Sequence, residues 1–147
     1  MYNPSRIDIY DYLYNLFYDV VTKNVYSMRE PQELTKSDTE DGFLVLSVGS
    51  LNDTSEFSGE AYGRVRCYVE AFVPPISRGR LDYDKYKLFE DSVTEVIKQE
   101  AAAGTNEIYN VEEDSILSSD IEETSNANNT YFVFIKSFIV DIRNVEE

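Results

Sequence analysis

The chain has no histidine, no tryptophan, one cysteine and four prolines, and it carries thirteen basic residues against twenty-eight acidic ones. Each shortage excludes something. Without histidine the commonest general base and the commonest metal ligand are gone. The single Cys67 has no partner for an intramolecular disulfide and no histidine to activate it as a nucleophile. A buried free thiol is its expected role, which fits a reducing compartment. The six glycines are scattered at loop and strand ends, so no phosphate-cradling G-x-x-x-x-G-K-S/T loop occurs. No elbow motif presents a serine nucleophile. The chain is therefore expected to be no enzyme, with no catalytic residues, no metal and no cofactor. A net charge of −15 argues against a surface that grips nucleic acid by displacing counterions. It also keeps copies apart until a specific surface brings them together. No apolar run approaches the roughly 20 residues of a membrane-spanning helix. The opening Met-Tyr-Asn-Pro lacks the basic start and apolar core of a signal peptide. No membrane partner is expected.

Length supports one domain with a full core over residues 1–147. Aromatics are plentiful but lopsided, with twelve Tyr and eight Phe, and six of the tyrosines lie in the first 26 residues. Tyr combines apolar area with a polar tip and suits surfaces buried against partners. The longest patterned stretch is Glu60–Val73. Ala61, Gly63, Val65, Cys67, Val69, Ala71 and Val73 alternate with Tyr62, Arg64, Arg66, Tyr68, Glu70 and Phe72. A period of two marks a strand with unlike faces. At about 3.3 Å per residue this one spans roughly 45 Å, more than so small a domain needs. Its small-residue face fits under helices, and its Tyr/Arg face calls for another explanation.

Read in order, Ser5-Arg6-Ile7-Asp8 approximates a capping box and predicts a first helix over Arg6–Lys23. Asp8, Asp11, Asn15, Asp19 and Thr22 share one narrow polar stripe, and nearly everything else is apolar or aromatic. An ordinary surface helix has an apolar stripe little wider than about 100°. The surplus predicts a second cover, with another subunit as the leading candidate and burial inside a monomer as the alternative. Ser27–Asp41 reads as a polar connecting loop. Gly42–Gly49 reads as a strand bounded by glycines, and Ser50–Gly59 as the hairpin connection to the long strand. Pro74-Pro75 ends that strand. Asp82 predicts the N-cap of a second helix, Tyr83–Ala103, with Tyr86, Phe89, Val93, Val96 and Ile97 as its packed stripe. Asn106–Asp120 reads as a weak strand, Asp120–Asn129 as a polar acidic loop, and Thr130–Ile142 as a central strand with two apolar faces. The order is α-β-β-α-β-β. It predicts an α+β fold, an antiparallel four-stranded sheet with two helices on one face.

Two clusters invite a chemical reading. Glu112, Glu113, Asp114, Asp120, Glu122 and Glu123 are hard-cation ligands by type. Their spacing matches no calcium loop, so a solvated acidic surface is expected. Arg64 and Arg66, flanked by Tyr62 and Tyr68 on one strand face, form a weak nucleic-acid signal in so acidic a chain. Pairing with carboxylates of a neighbouring strand or subunit is the stronger expectation.

This element order resembles that of the tail-terminator and tail-completion proteins of tailed bacteriophages and the related neck-ring proteins. In those an N-terminal helix (here Arg6–Lys23) precedes a β-hairpin (here Gly42–Gly49 and Glu60–Val73). A second helix (here Tyr83–Ala103) and a final β-pair (here about Glu107–Ser118 and Thr130–Ile142) follow. The resemblance covers nearly the whole chain and rests on order and size rather than on a motif. It implies a structural virion protein of the neck or tail, assembled in the bacterial cytoplasm as a homomeric ring. Portal, neck or tail proteins are its implied neighbours, and DNA passes through it without specific binding. Tyr10, Tyr12, Tyr14, Leu16 and Tyr18 on the first helix, with Tyr62, Arg64, Arg66 and Tyr68 on the long strand, are the expected contacts between copies. The other reading is a small adaptor or binding module that uses the Tyr-rich helix as its partner surface.

Overall fold

The computed structural model describes residues 6–49, 52–53, 63–76, 79–103, 109–113, 122–126 and 129–142. In chain order the elements are α1 (Arg6–Phe17), β1 (Val25–Ser27), α2 (Lys36–Asp41), β2 (Phe43–Val48), β3 (Asn52–Asp53), β4 (Gly63–Val73), α3 (Tyr83–Ala103), β5 (Tyr109–Glu113), β6 (Glu122–Asn126) and β7 (Asn129–Ile142). The strands form one sheet in the order β1-β2-β4-β7-β5, with β3 paired to β4 and β6 to β7. β1 runs parallel to β2, and every other pairing is antiparallel. The expected antiparallel four-stranded sheet with two helices is thus corrected. The sheet is mixed, more strands join it, and three helices pack on it.

The physical reasons are local. Val25–Ser27 has only three residues, too few to show a period. Its parallel pairing depends on the chain turning back after α1. That turn also shortens the first helix from the expected Arg6–Lys23. Asp19 adopts the left-handed conformation (φ 59°), which aspartate tolerates better than most residues, and the helix stops two residues before it. α2 lies in the stretch expected to be a loop. Thr35 caps it through a reciprocal box: its hydroxyl accepts from the Asp38 N–H, and the Asp38 carboxylate accepts from the Thr35 N–H. β6 replaces part of the expected acidic loop. It is an edge strand that pairs only with β7, so it needs no apolar alternation. β5 and β6 lie end to end along the same side of β7, with Glu113 opposite Phe138 and Glu122 opposite Val133.

β4 and β7 are the two long central strands, paired from Gly63–Ile142 to Val73–Phe132. Alternation sends Val65, Cys67, Val69, Ala71 and Val73 of β4 to one face, with Leu44, Leu46 and Val48 of β2 and Phe134, Phe138 and Val140 of β7. α1 and α3 cover this face with Ile9, Leu13 and Phe17, and with Tyr86, Phe89, Val93 and Ile97. Asp82 caps α3 by accepting the Lys85 N–H at 3.1 Å.

The opposite face holds a second, smaller core. Phe43 and Val45 of β2, Phe72 of β4, and Tyr131 and Val133 of β7 are buried there, with Tyr26 and Leu34 packed against them. Phe43 and Phe72 stack at 4.4 Å, and the Tyr131 ring meets Phe43 edge-on at 5.3 Å. α2 closes this core. Gly42 joins α2 to β2 with φ 83° and ψ −179°, a conformation reserved for glycine. A β-carbon there would lie 2.5 Å from the Phe72 carbonyl oxygen and 3.1 Å from the Phe89 ring, so the junction touches both cores.

Candidate interaction surfaces

The wide apolar arc of α1 divides between the chain's own core and solvent. Ile9, Leu13 and Phe17 are fully buried. Tyr10 is buried too, and its hydroxyl accepts the Val48 N–H at 3.1 Å, anchoring α1 to β2. Tyr12 donates to Glu100 Oε2 at 2.6 Å and ties α1 to α3. Leu16 packs against the core from its margin. What remains outside is a stripe of Ile7, Tyr14 and Tyr18, exposed by 64%, 37% and 44%, with the two tyrosine rings stacked at 5.4 Å. These three recur at helical spacing on the flank opposite Tyr12, hence on the side turned away from α3. Of the five helix positions expected to contact another copy, Tyr14 and Tyr18 are the exposed ones; Tyr10 belongs to the interior.

The long strand contributes less. Tyr62 lies outside the described residues, as does the Arg64 side chain, although the Arg64 backbone pairs with Asp141. Arg66 is exposed and sits opposite Ile139, whose other neighbour across the sheet is Glu112. Tyr68 is half-buried between Ser47 and Ser137. The face that carries Arg66 therefore also carries Glu70, Glu112 and Asp141, and its charge is mixed rather than basic. In the acidic cluster, Glu112 and Glu113 end β5, Glu122 and Glu123 open β6, and Asp114 and Asp120 lie outside the described residues. Among the described residues no three His, Cys, Asp or Glu side chains converge to hold a metal ion, and no helix is long and apolar enough to cross a membrane.

Two features escape a reading by pattern. The first is Asp38, a fully buried carboxylate. The Tyr26 hydroxyl donates to it, 2.7 Å from both carboxylate oxygens, and Tyr131 donates to the Asp38 carbonyl at 3.3 Å. Burial first, then the hydrogen bond to and the charge of Asp38, pushes the Tyr26 phenol well above its ordinary range. Burial and Asp38 raise Tyr131 as well, opposed by a hydrogen bond from Thr39. The Tyr26 phenol and the Thr35 N–H hold this carboxylate, so it reads as a structural pin for α2. The capping-box spacing Thr35–Asp38 was its only sequence signal.

The second is an exposed apolar patch at the β4–α3 turn. Ile76 is 41% and Tyr83 78% exposed, beside the exposed side chains of Arg80 and Lys87. The Ile76 N–H donates to the Arg80 carbonyl at 2.8 Å, and the Gly79 N–H donates to the Ile76 carbonyl at 3.2 Å. Tyr83 stands about one turn before Tyr86 at the margin of the packed stripe of α3, yet it is left outside. No protein-family model matches the chain, and no curated protein sequence matches it significantly.

Proposed function

We propose that this chain is a structural subunit of a tailed-bacteriophage virion, a tail terminator or head–tail connector that assembles into a homomeric ring in the neck or tail. The observation that carries the reading is the stripe Ile7–Tyr14–Tyr18, aromatic surface left over after α1 has satisfied its own core. Exposed tyrosines on a rigid helix are the composition of a protein–protein contact. The order of α1, the antiparallel pair β2–β4, α3 and the antiparallel pair β5–β7 supports the same reading. β1, α2 and β6 are then additions particular to this chain. DNA would pass the lumen without being held. The net charge is −15, and Arg66 shares its sheet face with Glu70 and Glu112 rather than with a run of cations.

Native mass spectrometry and negative-stain microscopy of the purified chain test the proposal. The expected result is a closed ring with a central opening, reduced to folded monomers by Tyr14→Ser with Tyr18→Ser. Duplex DNA at physiological ionic strength should show no tight, salt-sensitive binding. A chain that stays monomeric at every concentration reached overturns the ring and favours the adaptor, with the same stripe facing a different partner.

A further inference from the structure

Among the described residues the sheet ends in a bare strand edge on each side. The Leu44 N–H donates to the Asn24 carbonyl and the Met28 N–H to the Leu46 carbonyl, so alternate residues of this segment face β2. Val25 and Ser27 turn their backbone outward. The Lys23 carbonyl takes the Val25 N–H. The Val25 carbonyl and the Ser27 N–H and carbonyl have no partner among the described residues. At the other end, the Gly49 N–H donates to the Arg66 carbonyl, so even-numbered residues of β4 bond β2 and odd-numbered ones bond β7. Carried across the register, this alternation commits Glu122, Thr124 and Asn126 to β7 and turns the backbone of Glu123 and Ser125 outward. The exposed stripe of α1 borders the first of these edges. α1 packs over β1 and β2, and α3 over β4, β5 and β7, so the flank of α1 turned away from α3 is the flank above β1. Tyr10 confirms the direction, because its hydroxyl meets the Val48 N–H, which points to the same side of β2 as the Leu44 N–H.

We infer that β1 of one copy pairs with β6 of the next, with the α1 stripe over the joint, so that one sheet continues from copy to copy. β1 is parallel to β2, and three antiparallel steps lead from β2 through β4 and β7 to β6. Copies set side by side in one orientation therefore present antiparallel edges to each other. Opposing Val25 to Ser125 and Ser27 to Glu123 gives each of the three unpaired groups on β1 a partner. The self-pairings do worse. β1 against β1, with Val25 opposite Ser27, leaves each Ser27 carbonyl facing an N–H already in use and sets Lys23 opposite Arg29. β6 against β6 brings acid to acid, since residues 99–135 hold eight acidic residues and no basic one. Residues 6–30, which carry β1 and the stripe, hold three basic residues against four acidic, the less repulsive partner for that edge. A contact between two different edges repeats and closes into a ring when the rotation permits. The inference rests on the ring reading above and assigns the pairing that joins its subunits.

The test uses two variants of the full chain, Ser27→Pro and Glu123→Pro, each checked for native circular dichroism. Proline is tolerated on an edge strand where its N–H would face solvent, and it removes the donor that an incoming strand needs. Each variant alone should be monomeric by native mass spectrometry. An equimolar mixture should form one-to-one pairs and nothing larger, because Glu123→Pro keeps the β1 edge and Ser27→Pro keeps the β6 edge. Should either variant fail to fold, hydrogen exchange takes its place: peptides spanning Ser27 should exchange more slowly in the assembled chain than in the Tyr14→Ser, Tyr18→Ser monomer. A Ser27→Pro variant that assembles as the wild type does, a Glu123→Pro variant that stays dimeric, a mixture that stays monomeric, or equal exchange overturns this inference while leaving a ring formed by the unmodified chain in place. An unmodified chain that never assembles overturns both and leaves the stripe to a partner of another sequence.

Discussion

Under α1 and α3 the sheet presents Val65, Cys67, Val69, Ala71 and Val73 in unbroken alternation, while under α2 it presents Phe43, Phe72 and Tyr131 around a buried carboxylate. The first face is closed by two helices with many apolar contacts each. The second is closed by a six-residue helix that no isolated peptide of that length would keep. Its closure therefore depends on directional bonds: the Thr35–Asp38 box, the Tyr26 and Tyr131 hydroxyls, the Lys85 ammonium on the Glu40 carbonyl, and Asn24 on the Gly42 carbonyl. Burial without preferred direction holds the first face, and a few oriented polar groups hold the second. The difference teaches that a small core can be made specific by one satisfied buried charge where apolar area is short.

The largest effect is expected where the two faces share a residue. Gly42→Ala forces a conformation costing about 1–3 kcal/mol. Overpacking against the Phe72 carbonyl, Pro74 and Phe89 adds about 1–3 kcal/mol more. Urea unfolding should show one transition at a much lower midpoint, with both cores loosened together. If only α2 loosens, the faces are less coupled than this junction implies. Tyr26→Phe separates them. It removes a donor from the buried Asp38 carboxylate, at a cost of about 1.5–3 kcal/mol. Hydrogen exchange should rise first across residues 28–42 while α1 and α3 stay protected. A uniform rise would mean the second face has no separate opening.

The smallest effect belongs to the first face and to alkaline pH. Burial pushes the Cys67 thiol from 9.0 up to about 12, so the folded state keeps a proton that the unfolded state loses. This contribution to stability is complete below pH 9.0 and is lost as pH rises toward about 12. Tyr86, raised from 10.0 to about 12 by burial and then by Glu90, adds its own loss only above pH 10.0. Between those two onsets Cys67→Ala should flatten the fall of stability with pH. An unchanged slope would mean that Cys67 gains access to solvent before the chain unfolds.

Much of the fold was legible because it is periodic. α3 was expected at Tyr83–Ala103 and is observed there, with Asp82 as its cap. The central place of β7 followed from its two apolar faces, and the small-residue face of β4 lies under helices as its alternation suggested. Elements too short to show a period escaped: β1 fell between the expected helix and the expected loop, α2 lay within that loop, and β6 was hidden by its polar composition. The exposed stripe proposed as an interaction surface was legible only in part. The wheel of α1 showed that its apolar arc is too wide, yet Tyr10 and Tyr14 look alike on it. Which of the two is spent inside depended on where β2 places the Val48 N–H.

The amino-acid order by itself determined the alternating strands, the amphipathic α3, the charge of −15 and the absence of histidine chemistry, because each is a property of spacing or composition along the chain. Only the tertiary structure decided the parallel β1, the second core beneath α2 and the burial of Asp38. It also left Ile7, Tyr14 and Tyr18 outside. Those outcomes depend on which residues distant in sequence arrive at the same face, and Tyr26, Asp38 and Tyr131 become one cluster only after the sheet has brought β1 and β7 into one plane.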